Sequence, residues 1–183
     1  MRRALWLALA LVLSSALGCG KAHGAKDDVC LRNLEILGDL FAQHEDAYGF
    51  GKGPHATLSG AQTVIAFRLE NWVKEGQELV LVCPRDERAV VRMGAVGIEL
   101  NDPTTWESLT SYAVRDFAAY PVPAAGRENE ILAVCWNGAD ANVTPHGDLH
   151  VVFADGSVRA IDADTIGPTS DDPMLQKVRF YPR

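Results

Sequence analysis

The sequence contains none of the short motifs that mark common hydrolases and nucleotide-binding enzymes. It has no Gly-x-Ser-x-Gly, no His-Glu-x-x-His, no phosphate-binding loop and no Cys-x-x-Cys pair that would activate a thiol. It also has no basic run, and its 17 Lys and Arg are outnumbered by 24 Asp and Glu, which argues against a nucleic-acid partner. The 9 Pro and 16 Gly are scattered without a repeat over 183 residues, a length typical of one globular domain.

The first 18 residues have the features of an export signal. Two arginines precede an apolar run over residues 4–13, and small residues follow up to Gly18. A positive start, an apolar run of about 7–15 residues and a small-residue cleavage site are typical of a secretory signal peptide. The run is shorter than the roughly 20 residues that a membrane-spanning helix needs. Removal of residues 1–18 leaves 165 residues and changes the net charge from −7 to −9, because the segment holds two arginines and no acidic residue.

The junction of Gly18 and Cys19 resembles the lipobox of bacterial lipoproteins. In that family the cysteine becomes the first residue after a diacylglycerol has been joined to its sulfur. The resemblance implies lipidation of Cys19, a flexible tether over residues 19–27, and a membrane anchor in the cell envelope. Gly20 follows the cysteine where enteric-type sorting uses Asp for inner-membrane retention, which favours the outer membrane. The alternative is an ordinary secretory signal with an unmodified Cys19.

Lipidation would leave three cysteines, Cys30, Cys83 and Cys135. An odd number in an oxidising compartment allows one internal disulfide and leaves one thiol. Cys83 and Cys135 both lie in predicted strands, so we expect these two to be candidates for a bridge, with Cys30 as the competing partner. The alternative is three small buried hydrophobic residues. Successive cysteines are more than fifty residues apart, whereas zinc sites favour closely spaced ligand pairs, so the spacing predicts no cysteine metal motif and no cofactor.

Hydrophobic periodicity predicts an α+β domain over residues 28–183, with an N-terminal helix packed on an antiparallel sheet. The helix is expected over residues 28–47, because Cys30, Leu34, Leu37, Phe41 and Tyr48 recur at helical spacing. The tail from residue 165 is expected to be irregular and to be anchored by Leu175, Val178 and Phe180. Asp27 and Asp28 are the expected helix caps, and Gly49 and Gly51 the expected stop. A second helix is expected to begin at a capping box from Ser59 and to stop near Gly76. The expected strands cover residues 79–83, 89–100, 111–120 and 131–136.

A hairpin is the clearest local signal. Asp155-Gly156 separates residues 149–154 from residues 157–162, which is typical of a two-residue turn that pairs Ala154 with Ser157. This register predicts one apolar face and one mixed face. The apolar face holds Leu149, Val151, Phe153, Val158 and Ala160, and the mixed face holds His150, Val152, Arg159 and Ile161.

Four motifs occur in an order that resembles the type II secretion pseudopilin-like proteins. They are the Cys30 helix with Asn33-Leu34 and Ile36-Leu37-Gly38, then Cys83-Pro84-Arg85-Asp86, Ser111-Tyr112, and His146 followed by Asp155-Gly156. Eight residues separate His146 from Asp155, one fewer than in the family's His-x9-Asp-Gly pattern. The prepilin processing site and its long hydrophobic helix are absent from the sequence. The resemblance therefore implies a pilin-like domain on a lipid anchor, acting as a non-enzymatic interaction or accessory module with a protein partner near a secretion apparatus.

A second hypothesis comes from four polar residues within ten positions: His146, Asp148, His150 and Asp155. On a strand, residues 146, 148 and 150 point the same way, and imidazole and carboxylate ligands suit zinc or another divalent metal. Against this, Asp155 belongs to the turn and His150 falls on the polar hairpin face. The alternative function is thus a periplasmic metal-binding protein or a metal-dependent hydrolase.

Overall fold

The computed structural model describes residues 24–54, 62–74, 76–86, 110–135, 146–162 and 175–179. The predicted signal peptide, Cys19, Ser59 and the strand over residues 89–100 lie outside these ranges. The helices are α1 (Ala25–Tyr48) and α2 (Gln62–Leu69), with 3-10 turns at Glu78–Leu81, Arg127–Asn129 and Leu175–Lys177. The strands are β1 (Tyr112–Arg115), β2 (Ile131–Cys135), β3 (Asp148–Phe153), β4 (Val158–Asp162) and β5 (Val178–Arg179).

The strands form one antiparallel sheet in the order β4-β3-β2-β1-β5, and α1 packs on one of its faces. The α+β prediction is confirmed at this level. Gly38 faces the sheet, since a Cβ there would lie in ordinary contact with Val152 Cγ1 and the carbonyl oxygen of Gly156, at 3.4 and 3.5 Å. The opposite face of the sheet is also buried, by a second apolar cluster. That cluster comprises Ala113, Ile131, Val134, Leu149, Val151, Phe153, Leu175 and Val178.

Helix α1 begins three residues before its predicted start, so it includes the end of the predicted tether. Its N-cap is Gly24, and Asp27 at position N3 accepts a hydrogen bond from the Gly24 amide at 2.9 Å. The prediction that Asp27 or Asp28 is the cap is therefore wrong, because Asp27 caps from inside the first turn. The helix ends before Gly49, at φ 88°, as predicted. Within the described residues, no helix is long and apolar enough to cross a membrane.

The hairpin forms, but its register differs by one residue from the prediction. Phe153 and Ser157 are joined by a backbone hydrogen bond, and Val152 pairs with Val158. The loop thus has three residues and ends on Gly156 at φ 84°, which is the left-handed residue of a turn with a bulge. One extra loop residue reverses the facing of β4, so the predicted faces are wrong for β4 and confirmed for β3. Val152 and Val158 pack toward α1, whereas Leu149, Val151 and Phe153 lie in the opposite cluster with Ile161.

The predicted strand at residues 79–83 is instead the 3-10 turn Glu78–Leu81 and an irregular segment that leads to Cys83. The side-chain amide of Asn33 on α1 donates hydrogen bonds to the carbonyl oxygens of Leu79 and Val82, at 3.2 and 3.0 Å. These carbonyls would otherwise be available to a neighbouring strand. The segment is thereby fastened to the helix, and among the described residues its one backbone hydrogen bond toward the sheet comes from Ser111, before β1, to the Leu81 carbonyl at 3.3 Å.

Two further elements are shorter than predicted. Helix α2 ends at Leu69, well before the predicted stop at Gly76. Asn71 has a φ of 60°, which interrupts the helix. The amides of Trp72 and Val73 then both donate to the carbonyl of Phe67. Strand β1 ends at Arg115, where the predicted strand continued to residue 120. The tail is not wholly irregular as predicted, because it contributes the 3-10 turn Leu175–Lys177 and strand β5, which pairs with β1. Leu175 and Val178 anchor it, since both are buried, and Phe180 lies outside the described residues.

Arg115 is buried in the sheet and paired with Glu130. Its Nη1 lies 2.7 Å from Glu130 Oε2, and Lys177 Nζ lies 2.9 Å from the same oxygen. Arg115 also donates to the carbonyl oxygens of Tyr120, Pro121 and Ile131. Burial acts to raise the pKa of Glu130, but the contacts with Lys177 and Arg115 outweigh it, so the pKa is lowered.

Replacing this carboxylate should destabilise the fold in a pH-dependent way. Glu130→Gln should lower the free energy of unfolding by about 2 kcal/mol at pH 7, since hydrogen bonds to a charged group are lost. The folded-state pKa is below the usual 4.5, so the charge stabilises the fold above that value, and the contribution is lost as the pH falls through the folded pKa. Urea unfolding between pH 3 and 7 measures the difference. The control is the exposed Glu128→Gln, and equal losses in both variants would contradict the prediction.

Candidate metal centre

Four side chains with metal-binding atoms converge at one place in the described structure. The sulfurs of Cys30, Cys83 and Cys135 and a ring nitrogen of His146 all lie within 4.8 Å of one another. We call this group the Cys3His cluster. His146 Nε2 lies 3.0 Å from the sulfur of Cys83 and 3.5 Å from that of Cys135. The three cysteines are fully buried, and the side chain of His146 is 1% exposed.

Each ligand comes from a different element. Cys30 belongs to the buried stripe of α1, and Cys135 is the last residue of β2, where it pairs with Tyr112 on β1. Cys83 follows the 3-10 turn that Asn33 fastens to α1, which places it beside Cys30. His146 lies in the turn that precedes β3. The cluster therefore connects the helix, the loop over residues 82–86 and the end of the sheet.

The second ring nitrogen of His146 contacts a carboxylate. His146 Nδ1 lies 2.5 Å from Asp27 Oδ1, so the Nδ1 proton is donated to the carboxylate and Nε2 faces the sulfurs. Metal-bound histidines usually donate their other N–H to a carboxylate or carbonyl, which fixes the ring orientation and the tautomer. The imidazole is thus oriented as a metal ligand would be.

Besides its contact with His146, Asp27 accepts three hydrogen bonds from two other residues. Arg85 donates from Nε and Nη2 at 2.6 and 2.8 Å, and the Gly24 amide donates at 2.9 Å. Burial acts to raise the pKa of Asp27, but the hydrogen bonds from Arg85 and His146 outweigh it and the pKa is lowered well below its usual range. Asp27 is therefore a carboxylate under all ordinary conditions. The backbone amide of Arg85 also donates to the sulfur of Cys83 at 3.4 Å.

The charges in the metal-free cluster favour a thiolate next to a protonated imidazole. The pKa of Cys83 is lowered by hydrogen bonds from Cys135 and Cys30 and by His146. Burial acts to lower the pKa of His146, but Cys83 and Asp27 outweigh it and the pKa is raised. Burial raises the pKa of Cys135. A metal ion that takes the place of these protons would be bound by thiolates and a neutral imidazole, the forms that ligate metals.

The spacing of the ligand atoms fits a tetrahedral site. Zinc binds sulfur at about 2.3 Å and imidazole nitrogen at about 2.0 Å, so ligand atoms at the corners of a tetrahedron lie roughly 3.5–3.8 Å apart. The separations of 3.0 and 3.5 Å and the upper limit of 4.8 Å bracket this range. Four protein ligands would leave no open position, which is typical of structural sites rather than catalytic ones.

The metal set predicted from the sequence is not assembled. Of its four residues only His146 joins the cluster, and the Cys3His cluster is the one metal-binding group found among the described residues. Asp148 begins β3, and Asp155 lies beyond the far end of that strand, where it accepts hydrogen bonds from the amide and hydroxyl of Ser157. His150 is buried, and its ring stacks on His146 with centroids 4.1 Å apart.

The predicted disulfide is not present in the structure, where Cys30, Cys83 and Cys135 are all free thiols. Sequence spacing predicted no cysteine metal motif, because it detects only ligands that are close along the chain. The sequence feature that pointed to the ligands was the set of motifs on which the pseudopilin resemblance rests. Cys30, Cys83 and His146 belong to three of those motifs, and all three meet here.

Comparison with known proteins adds no family assignment. No protein-family model, curated protein sequence or solved structure matches the chain.

The contact between Asp27 and His146 can be tested by its effect on metal binding. Asp27→Asn should weaken zinc binding by about 10- to 100-fold, because the imidazole loses the carboxylate that orients it. Competition with a chromogenic chelator measures the affinity. Asp28→Asn is the matched control, since it removes the same charge from an exposed position in the same helical turn. Equal affinities in the two variants would show that Asp27 does not support the ligand.

Proposed function

We propose that this chain is a non-enzymatic envelope protein whose domain is held together by a structural zinc ion in the Cys3His cluster. The observation that carries the proposal is the convergence of four buried ligand atoms within 4.8 Å, from four separate segments of the chain. Thiolate and imidazole ligands suit zinc, and a Cys3His set is one of its common structural sites.

The position of the cluster supports a structural role. The ligands lie on α1, after the 3-10 turn, at the end of β2 and before β3, so one ion would cross-link the helix to the sheet. The cluster is also dry, since all three cysteines are 0% exposed. Four protein ligands would leave an ion there no free position for a substrate. These features favour a stabilising metal over a metal-dependent hydrolase, the alternative suggested by the sequence.

The sequence supplies the cellular setting of the proposal. The export signal and the lipobox-like Cys19 support a lipid-anchored protein of the cell envelope, with the outer membrane favoured. The described helix and antiparallel sheet are compatible with a pilin-like domain, and the motif order supports a pseudopilin-like interaction module linked to type II secretion. The domain would then present a surface to a protein partner and perform no chemistry.

The zinc proposal predicts both a stoichiometry and a stability effect. The full mature chain, purified in detergent with a reductant, should contain one equivalent of zinc by elemental analysis. Removing zinc with a chelator should lower the melting temperature by about 10 °C or more, because an ion bound far above its dissociation constant adds several kcal/mol. Cys135→Ser and His146→Ala should reduce the zinc content to near zero.

The control for these variants is His44→Gln, a histidine on α1 that lies outside the cluster. This variant should retain one equivalent of zinc. Because a ligand variant can fail to fold, the wild-type measurement is decisive. Zinc content well below one equivalent in the reduced wild-type chain, after incubation with zinc and desalting, would contradict the proposal.

The anchor is tested by changing its cysteine. Cys19→Ser should move the protein from the membrane fraction to the soluble fraction, because the sulfur that accepts the diacylglycerol is lost. Immunoblots of fractionated cells measure the distribution. Lys21→Ala is the control, since it removes a neighbouring positive charge and keeps the cysteine. Unchanged membrane partitioning of Cys19→Ser would defeat the prediction.

A further inference from the structure

The Cys3His cluster contains three thiols, and three is an odd number. The ligand atoms lie within 4.8 Å of one another, and an S–S bond is about 2.05 Å long. Two of the sulfurs could therefore bond if each moved by no more than about 1.4 Å. One disulfide would use two of the four ligands and leave one thiol and one imidazole, too few for a closed tetrahedral site. Metal binding and a disulfide are thus mutually exclusive in this cluster.

The geometry favours one pair of sulfurs. His146 Nε2 lies 3.0 Å from the Cys83 sulfur and 3.5 Å from the Cys135 sulfur, so these two sulfurs adjoin the same nitrogen. Cys83 lies outside the helices and strands, whereas Cys30 is fixed within α1. The Arg85 amide donates to the Cys83 sulfur at 3.4 Å, an arrangement that favours the thiolate, the nucleophilic form of a cysteine.

We infer that the cluster has two exclusive states, a reduced state that binds zinc and a metal-free state closed by a Cys83–Cys135 disulfide. This inference rests on the proposed zinc site and concerns its regulation. Zinc protects the sulfurs by occupying them and by cross-linking the segments that bury them, so only the metal-free chain can open and expose Cys83. A chain that meets an oxidant before it meets zinc closes the bridge and loses the capacity to bind metal until it is reduced.

The oxidant is a disulfide compound of the glutathione class, and the exchange balances. The Cys83 thiolate attacks one sulfur of oxidised glutathione, which forms a mixed disulfide and releases one glutathione thiolate. The Cys135 thiol passes its proton to the released glutathione thiolate, attacks the Cys83 sulfur, forms the protein disulfide and releases the second glutathione thiolate. Two protein thiols lose two electrons, and one oxidised glutathione becomes two reduced molecules.

The experiment uses the full mature chain in detergent and begins with its reduced form. Zinc content is measured first, with one equivalent expected. The metal is then removed with a chelator, and the metal-free and zinc-loaded forms are incubated with oxidised glutathione. Mass spectrometry should show a loss of two hydrogens and a Cys83–Cys135 peptide in the metal-free form only. Its zinc capacity should fall from one equivalent to zero and return to one after reduction.

Two variants test the pairing. Cys30→Ser keeps both predicted partners, so its metal-free form should still lose two hydrogens. Cys135→Ser should form no internal disulfide. A Cys30–Cys83 bridge in wild type, or zinc binding by the oxidised chain, would overturn the inference.

The two proposals fail separately. If the reduced chain takes up no zinc at the first step, the proposed function fails, and the exclusive states fail with it. If the reduced chain binds zinc but its metal-free form keeps all three thiols under oxidised glutathione, only the present inference fails.

Discussion

The contact between Asp27 and His146 is the interaction on which the arrangement of the domain depends. Asp27 lies in the first turn of α1, and His146 lies in the turn before β3, 119 positions along the chain. The same carboxylate also binds Arg85, two residues after Cys83, and the Gly24 amide that begins the helix. A single buried charge therefore sets the helix start, the loop that carries Cys83 and the orientation of the imidazole.

Helix α1 and the hairpin were predictable, because residues close together in the sequence determine them. The residue that caps the helix and the length of the hairpin loop were not. The spacing of Cys30, Leu34, Leu37 and Phe41 gave the long helix, and all four are buried. Its start was misplaced because Asp27 caps from position N3. The Asp155-Gly156 hairpin was found, but a three-residue loop reversed the facing of β4. Residues 79–83 were predicted as a strand because they are apolar and β-branched. The structure instead binds this segment to Asn33, which lies 46 positions from Leu79, and no local sequence pattern reveals that contact.

The site could not be predicted from spacing, because its ligands meet only after the chain has folded. Local reasoning grouped His146 with Asp148 and Asp155 because they are close in sequence. Strand β3 instead places Asp155 beyond its far end, and His146 turns away from Asp148 toward cysteines far away in the chain. The one sequence signal that anticipated the site was indirect. Three motifs noted for their order contained three of its four ligands.

The start of α1 lies only a few residues after Cys19, the predicted lipidation site. Gly24 follows Cys19 by five positions, and a five-residue connection spans at most about 18 Å. With Cys19 lipidated, the end of the domain that holds Asp27 and the cluster must therefore remain near the membrane. The other end of α1 lies about 35 Å further along the helix axis, since its 24 residues rise about 1.5 Å each.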